Sequence, residues 1–216
     1  YTTMKAIIFI FSAILLLLSC NSDEEIVKKK ELPKDDLEII SSDFEGTEFK
    51  DPIHLELLKE LDICDMVLDE NTGFATCSPE NFQIIPFNKN KSVRDAFILH
   101  VKSATRLKGQ DVLLPVRHVI VFEREQGKLV RTNGFRGEFF GMRKGQNNIK
   151  DIILALYLKE DETLFHCRFK WNDGKFSFNT IEGLDYGEGM RSLKKESKDS
   201  ISAQVYSALV DANVIF

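Results

Sequence analysis

The chain has 216 residues, 43% of them hydrophobic and 29% charged, the proportions of an ordinary globular protein. Its formal net charge of −5 argues against a nucleic-acid partner, because such binding needs a basic face that displaces counterions. The aromatic residues are skewed to 17 Phe against 4 Tyr and 1 Trp; a ring with no hydrogen-bonding group reads as core filling, not as a sugar-stacking platform.

Residues 1–3 precede Met4 and are read as lying ahead of the start. Lys5 is followed by an uncharged apolar run from Ala6 to Leu18 and then by Ser19-Cys20. The run falls short of the roughly 20 residues that span a bilayer. A short apolar core between a basic residue and a small-residue cleavage site reads as a secretory signal. Leu17-Leu18-Ser19-Cys20 resembles the lipobox of bacterial lipoproteins. That resemblance implies that residues 1–19 are removed and that the Cys20 thiol carries diacylglycerol. Each buried methylene of such a lipid contributes about 0.8 kcal/mol, which would hold an otherwise soluble domain on a membrane. Ser22-Asp23-Glu24-Glu25 resembles the export signal of surface lipoproteins in some Gram-negative bacteria. The expected address is the outer membrane, facing the cell surface, with a periplasm-facing orientation as the alternative.

Residues 20–45 are polar and of mixed charge, and we expect a lipidated cysteine and flexible tether there. A single globular domain is expected over 46–216. Asp51-Pro52 predicts a helix N-cap followed by proline at the first helical position, and Ile53, Leu57, Leu61 and Cys64 recur as an amphipathic stripe. From about residue 82 the period falls to two. Phe97, Leu99 and Val101 alternate with their neighbours, Ile152, Leu154, Leu156 and Leu158 share a face, and so do Phe165, Cys167, Phe169 and Trp171. Phe122 to Leu129 parallels Phe169 to Phe176, each with Gly-Lys after a charged strand end, and both predict tight hairpins. Lys159-Glu160-Asp161-Glu162 predicts a further strand connection. Asp199-Ser200 predicts the cap of a C-terminal helix carrying Ile201, Val205 and Leu209. The expected fold is α+β with β dominant: an antiparallel sheet of roughly six to eight strands, a short N-terminal helix and a C-terminal helix.

With Cys20 lipidated, three cysteines remain. Cys64 and Cys77 bracket a short polar loop, and a disulfide there would stabilise by about 3 kcal/mol in the chain-entropy model; separate buried thiols are the alternative. Cys167 is expected in the core as a small hydrophobe.

Motifs for chemistry are weak. His54, His100, His118 and His166 show no zinc spacing, and no metal or cofactor is expected. Asp69-Glu70-Asn71-Thr72-Gly73 begins like a calcium loop, but its glycine comes one position early and no bidentate glutamate closes it. Gly134, Gly137, Gly141 and Gly145 lack the Lys-Ser/Thr of a phosphate cradle and read as strand bends and turns, as do Gly187 and Gly189. No catalytic residue is assigned. Within Asn133 to Lys144, the residues Phe135, Arg136, Phe139, Phe140 and Arg143 form a candidate partner-binding edge, since aromatics and arginine dominate binding hot spots. The bland alternative is a strand with Phe inward and Arg outward. Asp199-Ser200-Ile201 resembles a short O-glycosylation site of some surface lipoproteins. In texture the domain is similar to small β-rich envelope lipoproteins such as periplasmic lysozyme inhibitors, though no inhibitory motif matches residue by residue. The expected function is non-catalytic binding of a protein or glycan partner, in an inhibitor, immunity or adhesion role. A carbohydrate-processing or hydrolytic envelope enzyme and a structural envelope component are the alternatives.

Overall fold

Gln126-Gly127 and Asp173-Gly174 take positive φ at both positions, 48° and 82° in the first and 48° and 78° in the second. That geometry gives a turn whose twist suits the flanking strands, and it is why glycine stands second in each. The first turn joins β4 (His118–Glu125) to β5 (Lys128–Arg136), and the second joins β8 (Thr163–Asn172) to β9 (Lys175–Asp185). The coordinates are a computed structural model that describes residues 36–41, 43–64, 75–107, 117–158, 162–185, 190–191 and 195–216. The expected signal peptide 1–19, Cys20, the first part of the tether, the loop at Asp69–Gly73, Lys159–Asp161 and Gly187–Gly189 lie outside the described residues.

The remaining strands are β1 (Glu38–Ile39), β2 (Phe82–Ile85), β3 (Ala96–Val101), β6 (Glu138–Arg143), β7 (Asp151–Leu158) and β10 (Met190–Arg191). All pairings are antiparallel. The β-dominated α+β class agrees with expectation, but the described strands number ten and form two sheets. One has the order β2-β3-β4-β5 and the other β1-β6-β7-β8-β9-β10. The reason is Gly137. Only this residue separates β5 from β6, so one long strand leaves the first sheet and enters the second. A Cβ at Gly137 would lie 2.5 Å from Leu156 Cδ2 and 2.7 Å from the Ala155 carbonyl oxygen, so the close approach at the corner needs glycine.

Between the sheets lies the larger core. Ile98, Val119, Val121 and Phe135 of the first sheet meet Leu154, Phe165, Cys167 and Phe169 of the second. Phe135 and Phe169 stand edge to face with centroids 4.8 Å apart. Two further contacts tie the sheets together. The Asn133 side chain accepts from the Phe176 amide at 2.6 Å and donates to the Phe176 carbonyl at 3.1 Å, which links β5 to β9 where no ladder runs. The β6–β7 turn is fastened to the β2–β3 loop through Lys89 N to Asn148 O at 3.0 Å and Lys150 N to Phe87 O at 2.9 Å.

A second core covers the other face of β3, where Phe97, Leu99 and Val101 meet Leu57 and Leu58 of α1 (Pro52–Leu61). This accounts for burial of all six β3 residues. Asp51 caps α1 as expected, with Oδ1 accepting from Ile53 N at 2.9 Å, and Asp62 ends it in the left-handed region. Cys64 and Cys77 are joined in a disulfide with Cα atoms 5.7 Å apart, closing this core from the side, and Cys167 is a buried free thiol whose burial pushes its pKa up.

The C-terminal helix α2 (Lys195–Asp211) begins before the expected cap, so Asp199 and Ser200 lie inside it and are exposed. Lysine and glutamate are good helix formers and carry the helix past the weaker Asp-Ser pair. Val205 and Leu209 reach the inter-sheet core, and Ser202 Oγ accepts from Ile181 N at 3.1 Å. The expected boundary at residue 46 also shifts. Residues 36–41 and 43–44 belong to the folded body, because β1 pairs with β6 and the Phe44 ring is tilted against His100 with centroids 5.0 Å apart.

Candidate functional site

Three of the five residues of the expected partner-binding edge, Phe135, Phe139 and Arg143, are buried. Phe135 and Phe139 alternate with Gly137 on the inward face, and both are fully buried in the inter-sheet core. A bulge between Phe139 and Gly141 leaves Phe140 unpaired with β7 and turns its ring onto His166, 4.6 Å away. Arg136 is exposed but lies over the Phe216 ring at 5.8 Å. Arg143 is 5% exposed and ion-paired. Neither the alternative with Phe inward and Arg outward nor the binding edge describes the whole segment, since Arg143 is buried too.

Histidines 100, 118 and 166 are not brought together. His100 lies beside Phe139 inside the sheets, His118 near Phe216, and His166 beside Phe140. Among the described residues no three His, Cys, Asp or Glu side chains converge as metal ligands would. His100 is completely buried; its Nδ1 bonds Gln83 Oε1 at 3.0 Å while Nε2 has no hydrogen-bond partner. The Gln83 amide donates to the Asp43 and Ser41 carbonyls, so its oxygen is left to accept from Nδ1–H. Burial, with the Arg117 charge nearby, pushes the imidazole pKa down to about 3.

The outer face of the larger sheet carries a ladder of charges. Arg168 of β8 holds Asp151 of β7 through two nitrogens at 2.6 and 2.9 Å. Glu182 of β9 lies 3.5 Å from Arg168, 3.8 Å from Arg143 and 3.9 Å from Lys198 of α2. Each buried carboxylate therefore faces cations, which is the condition for burying it at all.

At the β1 end of this ladder opens a cleft of about 480 Å³. Its charged lining is Asp36, Glu38, Lys89, Arg143, Lys144 and Lys150, four cations against two carboxylates in a chain that is acidic overall. Asp36 pairs with Arg143, and Glu38 with Lys150 at 2.5 Å. Lys89 and Lys144 are exposed and make no ion pair among the described residues. Asn147 and Asn148 shape the turn with φ of 52° and 61°, and Asn90 Nδ2 donates to Asn147 O at 2.6 Å.

This cleft escaped the sequence reading. Lys144 and Lys150 flank a recognisable Asn-Asn turn, a local signal. Lys89 and the two carboxylates come from elsewhere in the chain, and only the pairing of β1 with β6 and of the two loops assembles them. The Cys64–Cys77 bridge is one of the two alternatives that their spacing left open, and the burial of Cys167 follows from the strand period. Comparison of the chain with family models, with curated proteins and with solved structures finds no match.

Proposed function

We propose that the chain is an exported lipoprotein, held at a membrane by lipid on Cys20, whose domain acts by binding a macromolecular partner rather than by turnover. The observation that carries this reading is the Cys64–Cys77 disulfide. Such bridges persist in oxidising compartments outside the cytosol, the same address that Leu17-Leu18-Ser19-Cys20 implies by its resemblance to a lipobox. The bridge thus supports the reading of export.

The proposed location is the outer membrane of a Gram-negative bacterium, at its surface face, and the proposed role is that of an inhibitor, immunity or adhesion protein. The residues between Cys20 and Asp36 can span about 50 Å at the extended limit of roughly 3.3–3.6 Å per residue, enough to hold the domain clear of lipid headgroups.

Labelling with a radioactive fatty acid tests the anchor. The wild-type chain is expected to take up label and the Cys20→Ser variant to take up none; equal labelling of both, or of neither, overturns the reading. Protease added to intact cells is expected to cut the domain, and full protection would place it on the periplasmic face. Retention of neither protein nor envelope glycan by the immobilised chain would count against the binding role.

A further inference from the structure

The cleft beside β1 has features that neither the core nor the charge ladder requires. Two ammonium groups, Lys89 and Lys144, line it without ion-pair partners among the described residues. A third, Lys150, is held by Glu38, which is itself half exposed. These cations stand on two loops pinned to one another by the Lys89–Asn148, Lys150–Phe87 and Asn90–Asn147 hydrogen bonds. The backbone that carries the three lysines is therefore fixed before a ligand arrives, and only the exposed side chains remain to be ordered on binding. The volume falls within the range of small-molecule sites.

Charge points to an anion. Among the described residues the lining carries a residual charge of +2 once Asp36 and Glu38 are counted. A phosphate monoester brings about −1.5 to −2 at pH 7 in one compact group with three acceptor oxygens. A single carboxylate would leave half of that charge uncompensated, and an apolar ligand would leave all of it.

We propose that the cleft is a binding site for a phosphomonoester group, free or carried on a lipid headgroup, held by Lys89, Lys144 and Lys150. Glu38 is a built-in competitor: it occupies Lys150 in the empty site and yields that ammonium when the phosphate enters. Because β1 carries Glu38 on the segment leading from the tether, occupancy of the cleft weakens one of the two ion pairs that fasten this segment to the body.

The test uses the full chain carrying Cys20→Ser in detergent at low ionic strength, titrated with inorganic phosphate and followed by backbone amide shifts in NMR. Saturable shifts at Lys89 and across Lys144 to Lys150 are expected, weakening with salt. The Lys89→Ala/Lys144→Ala variant removes two exposed side chains and is expected to weaken binding by roughly tenfold, with the remaining spectrum unchanged. Glu38→Gln is expected to tighten binding by roughly threefold, because Lys150 is released. Water-soluble dihexanoyl phosphatidate separates the sources: tighter binding than inorganic phosphate assigns the site to a headgroup, and equal binding assigns it to the free group. Absence of a saturable shift, or undiminished affinity in the double-lysine variant, overturns the proposal. Either failure leaves the reading of Cys20 untouched, since that is measured by acyl labelling.

Discussion

The long strand from Lys128 to Arg143 is flanked differently along its two halves, and the contrast separates a permanent edge from a releasable one. Its first half, β5, lies between β4 and the C-terminal residues. Gly134 N donates to Phe216 O at 2.7 Å, Phe216 N to Gly134 O at 2.8 Å, and Arg136 N to Val214 O at 2.8 Å. Val214 is buried in the core, and the ring of Phe216 lies against Gly134. Its second half, β6, lies between β7 and β1. Here the ladder covers only Glu38 and Ile39, extended by Ile40 N to Phe140 O at 3.2 Å, and Ile39 is 62% exposed. Charge supplies much of the rest, through Asp36 to Arg143 and Glu38 to Lys150. Both caps hide an edge that would otherwise recruit another strand. One is bound by backbone hydrogen bonds and apolar burial, which salt does not weaken. The other depends also on two ion pairs whose carboxylates are exposed, which salt does weaken.

Removing Val214–Phe216 should break the contrast most severely. Four backbone hydrogen bonds, counting Val214 N to Leu209 O at 2.9 Å, and one buried valine are lost, and we expect a destabilisation of about 3 kcal/mol in urea unfolding, the same at low and high salt. A loss that shrinks as salt rises would erase the distinction between the two edges.

Next in size is a pH effect under the β1 segment, where Phe44 covers His100. The folded ring remains neutral down to about pH 3. An unfolded imidazole takes a proton near pH 6.5, so the unfolded state binds more protons between these values and stability falls as pH falls. From pH 7 to 5 the loss due to this residue is expected to be about 2 kcal/mol, and His100→Phe should remove that share of the slope. An unchanged pH profile in the variant would show that the ring is not held neutral.

The smallest effect sharpens the comparison at its other end. Glu38→Gln removes a pair whose carboxylate is exposed, and a cost of about 0.5 kcal/mol is expected at low salt. It should vanish at high salt, where screening acts over a few ångströms. Unfolding curves at the two salt concentrations measure it directly.

What was legible in the chain is what short spacing encodes. Asp51-Pro52 marks a helix start because the cap and the fixed proline φ act within three residues. Gln126-Gly127 and Asp173-Gly174 mark hairpins because positive φ is a local demand. Ile152 to Leu158 and Phe165 to Phe169 point inward because the strand period is two. The segment from Phe135 to Arg143 was harder. The aromatic and basic residues that suggested a binding edge are mostly buried, because a strand that passes through a corner is covered on both sides by elements far away in sequence. The cleft was illegible for the same reason. Its cations lie at positions 89, 143, 144 and 150, and its carboxylates at 36 and 38.

By itself the amino-acid order determined the class of fold, the two turns, the start of the first helix and the residues that face the core. These rest on backbone preferences and on a side-chain period counted over a few positions. Tertiary structure alone decided that one strand serves two sheets, that residues 36–41 and 43–44 belong to the body, and that four cations line one cleft beside β1. Those outcomes depend on which distant backbone groups find partners, and a sum over the whole chain settles that, not any stretch of it.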